Sequence, residues 1–163
     1  MKILGVDPGS LHSGIALYDS DLKRFTWAVS EFDNEDFIVD AKILRKQADI
    51  NVIEMPKLYG QRQVQASLLE TCIAAGRLFE ALGGVKSVVW LPRGSVKMHL
   101  LGFVNRKGIN PDSAIAAAIN ERFPGGKGTK KAPGPLYGLT THAMQAAALC
   151  LTYDDLKGDF SQI

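Results

Sequence analysis

The chain has 163 residues, 46% of them hydrophobic, and a net charge of +2. That is enough for one sizeable core and too little for two ordinary domains, so a single domain spanning 1–163 is expected. No apolar run approaches membrane-spanning length, and the apolar opening is broken at once by Asp7, Pro8 and Gly9, unlike a signal peptide; a soluble, cytoplasmic protein that uses neither membrane nor small-molecule cofactor is expected.

The modest net charge hides an asymmetry. Residues 17–54 carry nine acidic and five basic side chains, whereas residues 86–131 carry nine basic ones against only Asp112 and Glu121. A basic half of this kind suits a polyanion. Cys72 and Cys150 both fall in apolar helical patterns, which predicts buried free thiols rather than a disulfide or a zinc site.

In chain order, residues 2–7 read as a strand that delivers Asp7 to its end, where Pro8-Gly9 stops it. Residues 14–18 and 24–29 continue as an antiparallel meander around Asp19-Ser20-Asp21. A helix over 36–46 follows, then a strand over 50–54 that ends in Glu54 because Pro56 blocks its continuation. Residues 63–82 form the longest helical pattern, with Val64, Leu68, Cys72, Ala75, Phe79 and Leu82 on one stripe and Leu69, Ile73 and Gly76 on a second edge. Gly83-Gly84 ends it, a strand over 87–91 stops at Pro92, and a short helix is expected over 93–101. Pro111 opens a helix reaching Phe123. Residues 124–138, rich in Gly, Pro and Lys, read as a flexible basic loop, and 140–152, mostly Ala and Leu, as a buried final helix. A meander followed by alternating strands and helices describes an α/β fold: a five-stranded mixed sheet flanked by helices, in the order the ribonuclease H-like fold requires.

Asp7 and Glu54 each end an apolar strand. A carboxylate there is costly unless a cation meets it, and two on one sheet edge repel unless something positive lies between them. Mg²⁺, which takes carboxylate and water oxygens, is an adequate partner. His142 and Gln145 open the final helix three positions apart, on one face.

An Asp in a D-P-G motif closing the first strand, a Glu closing a later one, and an H-x-x-D pattern opening an Ala/Leu-rich last helix together resemble the active site of RuvC-type Holliday-junction resolvases. The corresponding residues are Asp7, Glu54, His142 and Gln145, so glutamine stands where that family has an aspartate. Residues 126–138 resemble the stretch before the last helix in phage-encoded members. The resemblance implies a homodimer that nicks four-way DNA junctions symmetrically. It would use two Mg²⁺ ions per site, or Mn²⁺ in their place, with Asp7, Glu54 and His142 as ligands. The helix over 63–82 is similar to the family's dimer element. DNA contact would fall to Arg62, Arg93, Lys97, Arg106, Lys107, Lys130 and Lys131, with Tyr59 similar to the aromatic that enters the junction centre. Gln145 keeps open a junction-binding protein that does not cut, and an RNase H-fold nuclease on another branched or hybrid nucleic acid also fits. An ATP-binding domain of the sugar-kinase type, whose Asp-x-Gly motif is matched by Asp7-Pro8-Gly9, would need more chain than this.

Overall fold

A computed structural model describes residues 1–56, 66–157 and 159. The strands β1 (Lys2–Asp7), β2 (His12–Asp19), β3 (Arg24–Asp33), β4 (Ile50–Met55) and β5 (Val88–Pro92) form one sheet in the order β3-β2-β1-β4-β5. The first three strands pair antiparallel, and β1, β4 and β5 pair in parallel. This is the five-stranded mixed sheet expected from the sequence. The helices are α1 (Asn34–Leu44), α2 (Ala66–Ala81), α3 (Arg93–Leu101), α4 (Pro111–Arg122) and α5 (Thr141–Leu156).

Each sheet face has its own core, because successive side chains of a strand point to opposite sides. Leu4, Val6, Ile15, Leu17 and Ile53 pack with Phe37 and Ala41 of α1 and Leu78 of α2. Ile3, Ala16, Tyr18, Val52 and Leu91 pack with Val96 of α3, Ile115 and Ile119 of α4, and the buried run Ala143–Leu151 of α5. Asp7 and Glu54 share the parity of Ile3 and Val52, so both lie on the α5 side.

Two glycines let α5 lie directly on the sheet. A Cβ on Gly5 would fall on the Ala146 carbonyl and 2.7 Å from Cys150 Sγ, and one on Gly14 would fall on the His142 carbonyl and 2.6 Å from His142 Cβ. Glycine inside a strand marks such an approach.

Three sequence expectations need correction. Cys150 is buried, but Cys72 is exposed. The inward stripe of α2 runs through Ala74, Ala75 and Leu78, which turns residue 72 outward. β3 continues to Asp33 rather than Val29; as an edge strand it tolerates Ser30 and Glu31, whose polarity masked the strand pattern. The helix that follows begins at Asn34 rather than Asp36, where the Asp33 carboxylate accepts from the backbone N–H groups of Glu35 and Asp36. In the basic segment 124–138, Gly128 bridges Pro133 and the Gly134 and Leu136 amides donate to the carbonyls of Lys127 and Gly126. Leu136 is fully buried and anchors the segment to the core.

Candidate active site

The site lies where β1, β4, α3 and α5 meet. Val6 of β1 pairs with Ile53 of β4, and the next residue on each strand is a carboxylate, Asp7 and Glu54. Asp7 is buried, and its Oδ2 lies 3.0 Å from His142 Nδ1 in the first turn of α5. The hydrogen bond to Asp7 raises the His142 pKa above its ordinary value. With Nδ1 donating to Asp7, Nε2 is left as the acceptor, and the half-open side chain (60% exposed) gives it access to solvent.

Glu54 is nearly enclosed, and its pKa rises to about 7, first because burial disfavours its charge and second because Asp7 repels it. Arg93, the first residue of α3, opposes both effects: Nη1 donates to Glu54 Oε2 at 3.1 Å, and Nη2 donates to Asp112 of α4. A group whose folded pKa exceeds its unfolded one binds more protons when folded, so Glu54 draws stability down as pH rises from about 4.5 to 7. Glu54→Gln is therefore expected to flatten the fall in melting temperature over that window, read by thermal melts at pH 5, 6, 7 and 8. An unchanged slope would reject the assignment.

Two residues that the sequence reading passed over hold this geometry in place. Asn34 is buried; its Oδ1 accepts from Ser13 Oγ at 2.6 Å while its Nδ2 donates to the Gly9 carbonyl at 3.0 Å and the Ser10 carbonyl at 3.2 Å. It thereby ties down the turn leaving Asp7. Ser30 Oγ donates to the Thr140 carbonyl at 2.8 Å and accepts from the Ala143 amide at 3.3 Å, so β3 supplies the cap at the start of α5. Asn34 gave one signal, as an asparagine beside a helix start; Ser30 gave none. Asn34→Ala leaves Ser13 Oγ and two carbonyls without partners and is expected to cost about 1–3 kcal/mol in urea unfolding; a loss within error of zero would remove its anchoring role.

Of the residues expected at the site, the structure brings Asp7, Glu54 and His142 together. Gln145 follows one turn after His142 on the same helix face and is buried. Arg93 sits among the acids instead of on an open basic surface, and Lys97 is buried in α3. Arg106, Lys107, Lys130 and Lys131 are exposed, with the Arg106 guanidinium 6.0 Å from the Phe103 ring centroid. Tyr59 and Arg62 lie outside the described residues. Among the described residues no three His, Cys, Asp or Glu side chains form a ligand cluster. The oxygen donors that the structure brings together are the Asp7 and Glu54 carboxylates, and two carboxylates with water in the remaining positions are a set that Mg²⁺ or Mn²⁺ accepts. No described helix is long and apolar enough to cross a membrane.

No protein-family model matches the sequence, and no curated protein matches it. Solved structures do. Thermus thermophilus RuvC superposes with a TM-score of 0.61 at 18% identity, over 96% of this chain and 95% of that one. The same organism's RuvC in complex with a Holliday-junction substrate gives a TM-score of 0.59 at 18% identity, over 94% and 92%. A five-stranded mixed sheet in this order, matched along nearly the whole of both chains, gives this protein the same ribonuclease H-like fold as that structure.

Proposed function

We propose that this chain is a divalent-metal-dependent, structure-selective endonuclease that nicks four-way DNA junctions as a symmetric dimer. The observation that carries the reading is the meeting of Asp7, Glu54 and His142 at one end of one sheet face. Asp7 and Glu54, with the Gln145 carbonyl, would hold Mg²⁺ or Mn²⁺. When bound, such an ion lowers the pKa of water and offsets charge on the phosphate. Asp7 orients the His142 ring, and His142 Nε2 takes the proton from the attacking water. The exposed Arg106, Lys107, Lys130 and Lys131 contact phosphates of the strands leaving the site, which makes binding salt-dependent. The fold supports this substrate: the RuvC that the chain is similar to has been seen in complex with a Holliday-junction substrate. A four-way junction has near two-fold symmetry, and two sites on a two-fold dimer suit paired cuts. Leu69 and Ile73 are exposed along one edge of α2, beside Gly76, where a second copy would pack.

Gln145 favours one competing reading, a protein that binds junctions without cutting them, because a neutral amide stands at the fourth position. The deciding experiment incubates a labelled four-way junction, a matched linear duplex and an RNA–DNA hybrid with Mg²⁺ or Mn²⁺, using this protein and its Gln145→Asp variant. Paired symmetric nicks by the unaltered protein support the resolvase. Junction binding with cutting only by the variant supports the competing reading, and no preference for the junction by either protein sinks both.

A further inference from the structure

We propose that Arg93 stands in for one divalent cation, so that each site takes a single Mg²⁺ or Mn²⁺ ion instead of a pair. The inference rests on the reading of this site as a metal-dependent nuclease and concerns how its charge is balanced. Arg93 reaches the site because β5 ends at Pro92 and α3 begins at the next residue, two positions past Leu91, which pairs with Glu54. Its guanidinium lies between two carboxylates, 3.1 Å from Glu54 Oε2 and 3.5 Å from Oε1 on one side and bonded to Asp112 on the other. The side chains of Arg93 and Glu54 are 22% and 15% exposed, so this is not a solvated surface pair. An arginine cannot be deprotonated in a protein, and its planar fork matches carboxylates, so the positive charge is permanent and fixed in place.

The local charges then decide the ion count. With an ion bound and Glu54 therefore ionised, Asp7, Glu54 and Asp112 supply three negative charges and Arg93 removes one, while Gln145 adds none. With His142 neutral, two negative charges remain, which one divalent ion balances. A second ion would leave two uncompensated positive charges beside the half-buried Arg93–Glu54 pair, and it would have to displace Arg93 from Glu54. Gln145 points the same way. It lies one turn after His142 on the same face of α5 and brings a neutral amide where a further carboxylate would be needed to balance a second ion.

The test counts ions independently of cleavage. Mn²⁺ is titrated into the 163-residue protein, with free Mn²⁺ followed by electron paramagnetic resonance and heats by calorimetry, for the unaltered chain, Arg93→Gln and Arg93→Lys. The unaltered chain is expected to bind one Mn²⁺. Arg93→Gln should bind two, or bind the first at least about tenfold more tightly, on the scale of changing a ligand's supporting partner. Arg93→Lys keeps the charge and should stay at one, which also covers the case in which the glutamine variant does not fold. Two ions on the unaltered chain, no ion at all, or two on Arg93→Lys would overturn the proposal. Junction nicking, measured separately, reports on the parent reading: nicking with two bound ions removes only the role given to Arg93, and absence of junction binding removes the parent reading itself.

Discussion

Asp7→Asn is expected to reduce nicking of a four-way junction by at least about 10²-fold while leaving junction affinity, read by gel shift in EDTA, within a few-fold. The magnitude has a floor: mutating a partner that merely supports a metal ligand typically costs 10–100-fold, and Asp7 is proposed as a ligand itself. Asparagine keeps the shape of the side chain, so the buried packing at the end of β1 survives. What it removes is the negative charge and one of the two acceptor oxygens, so a single neutral oxygen can no longer both bind an ion and accept from His142 Nδ1, which Oδ2 meets at 3.0 Å. The two losses fall on one step, because the same residue would hold the ion and orient the base. His142→Ala should accordingly add little to Asp7→Asn in a double mutant, the non-additivity expected of groups that act as a unit. Nicking that persists in Asp7→Asn at the unaltered rate would reject the site.

Gly14→Ala is expected to be among the most damaging single-methyl changes in the fold. The new Cβ would fall on the His142 carbonyl and 2.6 Å from His142 Cβ, and neither the strand nor the helix backbone is a flexible side-chain end that can step aside. Overpacking commonly costs 1–3 kcal/mol, and a clash with main chain belongs at or above the top of that range, about 3 kcal/mol. For a chain of this size that lowers the melting temperature by roughly 6–12 °C. Because the atoms that must move belong to His142, cleavage should fall further than the melting temperature accounts for at an assay temperature well below it. Gly76→Ala on α2 is the control: nothing lies within 4 Å of its added Cβ, and alanine is the better helix former, so stability should hold or rise by up to about 1 kcal/mol. Equal melting temperatures for the two variants would mean that α5 does not press on β2 as described.

The strand-end acids were legible because proline punctuates both ends: Pro8 follows Asp7 directly, and Pro56 follows Glu54 by two residues. His142 was legible from its place at the start of an Ala/Leu-rich helix, and the sheet's layout followed from a meander succeeded by alternating elements. Arg93 was not legible as part of the site. A sequence shows an arginine in a basic half, whereas its pairing with Glu54 arises only when β4 and β5 lie in parallel and α3 starts at the end of β5. Cys72 misled for a related reason, since several apolar stripes can be drawn on α2 and only packing selects the one through Ala74 and Leu78. Gly5 and Gly14 did carry a signal, each being a gap in an otherwise apolar strand, but what they make room for lies more than 125 residues away in the chain.

That distance also bears on the order in which the molecule comes together. β1, the strand at the middle of the sheet, is made first, and α5, the helix that covers it, is made last. Until α5 leaves the ribosome, Ile3, Ala16, Tyr18 and Val52 face water on an open sheet surface, the kind of transient apolar exposure on which nascent chains aggregate or recruit chaperones. Asp7 and Glu54 wait on that same surface without His142, so the candidate site is completed only as the last helix docks.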